Sequence, residues 1–428
     1  MKVAFYTLGC KVNQYETDLM IKKFKDNGYT ICDFENIADI YIVNSCSVTN
    51  LSTRKSRQYL SRAKSKGGIV VLAGCYSQEI LGDKELKNVD IVIGNQEKND
   101  IVEIVEKYIN ENNKKVTYKV SEIAKAKRYI QTGMLTQGIQ VRESVKIEDG
   151  CNNFCTYCII PYVRGRVRSR NIEKIEEEVK ELVKSGVGEI VLVGIEIASY
   201  GKDLEENIDL INVIERINKI KDLKRIRLGS IEPRILTKEN IIRMSKCEKL
   251  CPHFHLSVQS LDNNVLKRMN RKYTREDIFE IVDNIRKYFK NPAFTCDIIV
   301  GFPGESDEEF KNTIEGVKKV AFYEVHAFKY SKRKWTLAAK MEDQIDGNIA
   351  QKRSEILIST ALELKNNYIN KELEKKEKIL IESKKDGYLY GYTPNYIMVR
   401  IKSDEDLTGK EIEVTLKEIQ KDVVDAIK

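Results

Sequence analysis

Short Val- and Ile-rich runs alternate with polar, helix-like stretches through the first hundred residues, at 2–8, 38–43, 69–73 and 89–93. Brief apolar runs separated by amphipathic segments predict parallel strands covered by helices. The next stretch, 116–142, is polar and basic without an apolar period, and reads as a linker or a crossing between domains. From 143 to 368 the alternation resumes, with strand candidates at 145–147, 189–193, 224–228, 254–258, 294–300 and 324–328. Six such units predict a partial (β/α)6 barrel, a fold that carries its chemistry on the loops after the strands. Beyond 369 the pattern changes to short strands at 378–382, 387–392, 396–401 and 411–416, parted by Gly, Asp and Asn, which predicts a small all-β barrel. The expected class is therefore α/β, with an N-terminal open parallel α/β domain over 1–115, a linker over 116–142, a barrel core over 143–368 and a β-barrel over 369–428.

No stretch approaches the roughly 18 apolar residues that signal a membrane span. The chain opens directly into a strand-like segment without a secretory apolar region, so a cytoplasmic protein is expected. Lys and Arg number 73 against 65 Asp and Glu, a net charge of +8 that favours a polyanionic partner without demanding one. The ten cysteines change the picture more. Thiols without an export signal are kept reduced, so clustered ones point to metal or redox chemistry rather than to disulfides.

Cys10, Cys46 and Cys75 each fall two or three residues past the end of the first, second and third apolar runs. In a parallel sheet that placement brings three distant cysteines to one edge, where ligands bind, and it predicts a cluster site. A second set, Cys151, Cys155 and Cys158, has C-x3-C-x2-C spacing directly after the first barrel strand. Three thiolates on one loop can hold three irons of a 4Fe–4S cluster and leave the fourth without a protein ligand. Zinc would call for a fourth Cys or His nearby, and the loop has none.

The loop CNNFCTYC on a parallel partial barrel resembles the radical S-adenosylmethionine (SAM) enzymes. Together with TLGCKVNQYE, NSCSVTN, GCYSQ, the run to RGRVRSR, DIIVGFPGES and YSKR, the chain resembles the methylthiotransferase family over essentially its whole length. That resemblance implies a radical SAM core and a C-terminal TRAM domain, approached by DGYLYGYTPNYIMV. It also implies a radical-generating cluster on Cys151, Cys155 and Cys158, and an auxiliary, sulfur-bearing 4Fe–4S cluster on Cys10, Cys46 and Cys75. Within the family, KVNQYE, NSCSVTN and RGRVRSR are similar to the branch that acts on tRNA threonylcarbamoyladenosine. The implied reaction is methylthiolation of carbon 2 of that base at tRNA position 37, next to the anticodon. An electron donor such as flavodoxin or ferredoxin and a sulfur source would serve it, and the chain is expected to act as a monomer.

An isopentenyladenosine or ribosomal-protein substrate, and a non-catalytic RNA-binding protein with structural clusters, stay open on sequence. Glu232 and Gln259, at the ends of barrel strands, are candidate SAM-binding residues by matching family segments, with polar loop residues as the bland alternative. Arg164, Arg166, Arg168 and Arg170 alternate strictly. If that segment is extended they form one row of guanidiniums suited to phosphates, and the alternative is pairing with Glu176 and Glu177. Tyr392 and Tyr396 are candidate stacking platforms for bases or, equally, members of a barrel face. Cys247, Cys251, His253 and His255 have spacing that could be mistaken for zinc, and His326 reads as structural. Against the family pattern, Glu196 stands where Asn is usual, Leu261 where Gly is usual, and Trp335 and Leu337 where Gly and Pro are usual.

Overall fold

The structure, a computed structural model, describes residues 1–81, 87–111, 115–131, 133–136, 138 and 140–428. Residues 132, 137 and 139 of the expected linker, and 112–114 of the expected first domain, lie outside the described residues. The chain forms two compact units. The first comprises Met1–Leu135, Lys146–Asn171 and Ser331–Lys340, and the second comprises Thr136–Val145, Ile172–Tyr330 and Met341–Lys428.

The first unit is built on a six-stranded parallel sheet of β1 (Lys2–Thr7), β2 (Thr30–Cys32), β3 (Ile40–Ser45), β4 (Ile69–Gly74), β5 (Ile91–Ile93) and β6 (Thr117–Lys119), in the order β2-β1-β3-β4-β5-β6. β3 is buried at every position, as a central parallel strand sealed by helices on both faces should be. Helix α1 (Lys11–Asp26) buries Val12, Tyr15, Leu19, Met20 and Phe24, the stripe of a 3.6-residue period. Helix α2 (Asn50–Ser65) starts where the Thr49 side chain accepts from the Ser52 N–H. The short helix α3 (Cys75–Glu79) follows Gly74, whose φ of 93° and closeness to Ser45 leave no room for a side chain. Helix α4 (Ile101–Asn110) completes the cover. β6 belongs to the span expected as linker; Asp90 O and Gly94 N bracket it with β5, so its backbone is spent on the sheet.

The second unit holds the barrel strands: β7 (Arg142–Lys146), most of which belongs here, β10 (Glu189–Val193), β11 (Arg225–Leu228), β12 (His253–Gln259), β13 (Ala293–Val300) and β14 (Glu324–Lys329). The intervening β8 (Glu148–Asp149) and β9 (Arg168–Ser169) pair with each other in the first unit. Two sheets, β11-β10-β7 and β12-β13-β14, are joined by the parallel bridges Ile226 to Leu250 and Ile231 to Leu256, which gives the six-stranded open barrel that the apolar runs predict. At the C-terminus β15 (Lys376–Lys385), β16 (Tyr388–Tyr392), β17 (Met398–Lys402), β18 (Glu411–Gln420) and β19 (Val423–Ile427) close into a five-stranded barrel. No helix among the described residues is long and apolar enough to cross a membrane.

Candidate functional site

β1, β3 and β4 are neighbours, and each runs at its C-terminal end into a cysteine: Cys10 precedes α1, Cys46 follows β3, and Cys75 opens α3. This edge lies where the strand order reverses, the usual ligand position in parallel α/β sheets. A Cβ placed on Gly9 would stand 2.9 Å from Cys46 Cβ and 3.1 Å from its Sγ, so the loops after β1 and β3 touch. Burial, and then the neighbouring Cys75, push the Cys46 thiol up to about 12. Thiols that resist ionisation in one another's company become thiolates when positive charge joins them, which is the chemistry of a metal-cluster donor set.

One such charge comes from the protein. Arg164 follows helix α5 (Ile160–Val163) and is fully buried. Its Nε donates to Cys75 Sγ at 3.2 Å, while its other nitrogens donate to Glu16 Oε1 at 2.5 Å and Asn13 Oδ1 at 2.5 Å. Glu16 also accepts from Lys146 Nζ at 2.7 Å and from Lys98. Burial opposes its ionisation, yet Arg164, Lys146 and Lys98 hold it well below the usual carboxylate range. Glu16 and Asn13, one turn apart on α1, both belong to the KVNQYE motif. Their spacing alone could have marked a shared face, whereas Lys98, Lys146 and Asp149 carry no local signal.

The second triad lies in the same unit. Gly150 adopts φ 87°, and a Cβ there would meet Arg166 O at 1.9 Å. Cys151 N–H donates to Gly165 O at 3.0 Å, Asn153 N–H to Cys151 Sγ at 3.4 Å, and Cys158 N–H to Cys155 O at 3.0 Å. Cys155 is buried, and Cys151 and Cys158 are half-buried. Directly after this loop, Ile159 and Val163 pack against Cys75 of the first triad. The loops that carry the two triads contain no histidine, and the three histidines of the chain, His253, His255 and His326, belong to the second unit. Each set offers three thiols, the number of protein donors that would hold a 4Fe–4S cluster with one iron left without a protein ligand.

Residues 145–317 match the Radical SAM superfamily model, and residues 2–94 match that of the Uncharacterized protein family UPF0004. The threonylcarbamoyladenosine tRNA methylthiotransferase MtaB of Bacillus subtilis is 40% identical over 97% of this chain and 93% of its own length. The chain belongs to the radical SAM methylthiotransferase family. A tRNA-2-methylthio-N(6)-dimethylallyladenosine synthase of Clostridium botulinum is 37% identical over 96% of this methylthiotransferase and 93% of its own length. In fold, the radical SAM methyltransferase TsrM from Kitasatospora setae is similar, with TM-score 0.56, 14% identity and coverage of 77% of this chain and 72% of its own. As a methylthiotransferase the chain is an enzyme, and the family uses SAM and 4Fe–4S clusters, two of the latter in methylthiotransferases.

The arginine row of the methylthiotransferase does not exist as a row. Helix α5 and the turn at Gly165 (φ 75°) break the extended run. Arg164, Arg168 and Arg170 are buried and turned to internal acceptors: Arg168 to Arg164 O at 2.9 Å and to Asp149, Arg170 to Gln131 Oε1 at 2.9 Å and Tyr15 Oη at 3.3 Å. Only Arg166 is exposed, its guanidinium 4.4 Å from the Phe154 ring centroid. Glu176 and Glu177 pair elsewhere, with Arg216 and Lys174. The phosphate-binding reading is therefore withdrawn for Arg164, Arg168 and Arg170, because their charges are already compensated inside the protein.

Tyr392 and Tyr396 stack on each other at 4.7 Å, Tyr396 stacks on His253 at 4.7 Å, and Arg142 lies 4.9 Å over Tyr392. Both rings are half-buried and belong to a packed cluster rather than to an open stacking platform. Glu232 is buried and accepts from Arg234 Nε at 2.8 Å, and Gln259 ends β12 with φ 67°. Cys247 and Cys251 are buried apart from the histidine cluster, whose members come from three adjacent strands: His255, Asp297 and His326. His255 Nε2 and His326 Nδ1 each stand 3.3 Å from an Asp297 oxygen. Hydrogen bonds to Asp297 and Glu324 raise His326 to about 9, so His326 stands against these carboxylates as an imidazolium at neutral pH.

Proposed function

We propose that this methylthiotransferase installs a methylthio group on carbon 2 of N(6)-threonylcarbamoyladenosine at tRNA position 37. The proximity of the two cysteine triads, linked through Arg164 and the contact of Cys75 with Ile159 and Val163, carries the chemical part of this reading. The name of the Bacillus subtilis relative supplies the substrate. Cys151, Cys155 and Cys158 would hold the radical-generating cluster, and Cys10, Cys46 and Cys75 the sulfur-bearing one. When bound, the clusters supply electron transfer to SAM and a place for the transferred sulfur.

The chain's own residues prepare that chemistry. Arg164 places a fixed positive charge and an N–H donor on the Cys75 sulfur, which orients the side chain. Glu16, Asn13 and Asp149 hold the guanidinium in place, and Lys146 and Lys98 balance Glu16. Burial of this network keeps water from the inner side of Cys75. Glu232 and Gln259 are the side chains proposed to contact SAM, and a flavodoxin- or ferredoxin-like donor and a sulfur source would complete the system.

The test pairs nucleoside mass spectrometry of tRNA from a deletion strain with SAM-cleavage assays on anaerobically reconstituted protein. Wild type should restore the methylthio mass on threonylcarbamoyladenosine. Cys155→Ala should abolish SAM cleavage, whereas Cys46→Ala should retain some unproductive cleavage without methylthiolation. Methylthio transfer by either variant would sink the ligand assignment, and a change confined to isopentenyladenosine or to ribosomal protein would redirect the substrate.

A further inference from the structure

The inner face of β12, β13 and β14 is polar where such a wall is ordinarily apolar. Parallel barrels fill their interiors with branched apolar side chains. Here the register aligns His255 with Thr295, Thr295 with Glu324, and Asp297 with His326. Their side chains meet on one face: His255 Nδ1 lies 2.9 Å from Thr295 Oγ1, both imidazoles contact Asp297, and His326 Nε2 stands 3.9 Å from Glu324. The opposite face of the same strands, Phe254, Leu256, Cys296, Ile298 and Val325, is fully buried and apolar. His326 keeps 47% of its side chain exposed and Asp297 27%. Ion pairs left part-exposed on a barrel wall contribute little to stability, and the same groups offer donors and acceptors within a few ångströms of one another.

We propose that this wall recognises the threonylcarbamoyl group of the substrate, with His326 donating to its carboxylate and Asp297 accepting from its carbamoyl N–H or hydroxyl. The proposal rests on the substrate reading above and assigns that reading its specificity residues. A threonylcarbamoyl group presents a carboxylate, a hydroxyl and two N–H donors, and the wall presents a cationic imidazole beside two carboxylates. An isopentenyl group presents only hydrocarbon and would cover these polar groups without offering them a hydrogen bond. Sites built for hydrogen bonding discriminate strongly against partners that lack it. Lys365, 3.8 Å from Glu324, offsets one of the two negative charges and lowers the repulsion of an incoming carboxylate.

The experiment measures binding of anticodon stem-loop RNAs by the full chain with its clusters reconstituted, without turnover. The three RNAs carry threonylcarbamoyladenosine, isopentenyladenosine or plain adenosine at the modified position, and SAM affinity is measured in parallel. Wild type should prefer the threonylcarbamoyl RNA over plain adenosine by about tenfold or more, and gain nothing from isopentenyl. His326→Ala and Asp297→Asn should erase most of that preference while binding to plain adenosine RNA and to SAM stays unchanged, with His326→Gln intermediate. Preference retained in these variants overturns the wall assignment alone. Parallel loss of SAM affinity would make the wall part of the SAM site and overturn it too. Absence of preference in wild type would bring down the substrate reading itself, so the two failures are distinguishable.

Discussion

Trp335 adopts φ 68°, a left-handed backbone that costs a non-glycine residue roughly 1 kcal/mol or more. Glycine is usual at this position in the resembling family, and the dihedral gives the reason. The indole recovers little, since it is 39% exposed and its ring lies 6.2 Å from Tyr162. Trp335→Gly should raise the stability of the chain by about 1 kcal/mol, read as a higher denaturant midpoint at unchanged slope. A lowered midpoint would show that the Tyr162 contact outweighs the strain. Glu196 departs from the family in another way. Burial, and then the nearby Glu232, raise its carboxyl to about 7. A carboxyl raised above its unfolded value of about 4.5 stabilises the fold fully below that pH, and the contribution is lost as pH climbs through 7. Glu196→Gln should therefore leave stability near pH 4.5 unchanged and increase it by about 1–2 kcal/mol at pH 8. Thermal melts across that range check this, and parallel pH profiles for the two proteins would refute it.

Leu261, the third departure, is accommodated between elements. It is fully buried, and a Cβ built on Gly316 of the helix Asp307–Val320 would stand 2.7 Å from Leu261 Cβ. The larger residue after Gln259-Ser260 is matched by a missing side chain across the contact. Gly316→Ala should destabilise by about 1–2 kcal/mol, overpacking exceeding the gain in helix propensity, and the double variant with Leu261→Gly should not add the two costs. Calorimetry of the three variants decides it.

The elements themselves were largely legible, because parallel strands sealed on both faces carry continuous apolar runs. β6 was not, since Thr117-Tyr118-Lys119 is a polar edge strand whose pairing only the sheet reveals. β19 was missed because Val423–Ile427 is short and alternates with Asp425. Both cysteine triads could be located from strand ends and loop spacing. The arginine row misled for a physical reason: strict alternation implies one face only if the backbone is extended, and Gly165 makes a turn there. The acidic partners of Arg164 lie far off in sequence, beyond the reach of any local pattern. The same holds for the polar wall, whose His255, Asp297 and His326 come from three separate strands.

At the scale of the molecule, the first unit is discontinuous, drawing Lys146–Asn171 and Ser331–Lys340 onto the sheet of Met1–Leu135. Its centre is an ion network to which the first segment contributes Glu16 and Lys98, and the second contributes Lys146, Asp149 and Arg164. A third link is Arg333, buried and forked onto Glu79 at 2.6 and 2.7 Å. A polypeptide of residues 1–135 would keep every strand of the sheet yet leave Glu16 with one of its three cations. Breaking buried charge pairs from one side costs on the order of 3–5 kcal/mol, a large share of the stability of a domain this size. That fragment should show a broad, weakly cooperative urea transition, and Glu16→Gln should sharpen it by removing the stranded carboxylate. In the full chain the same Glu16→Gln change should act in the opposite direction, because Arg164 would then lose its main counter-ion. A cooperative fragment indifferent to Glu16 would mean that the sheet stands alone and that the network serves only the cysteines beside it.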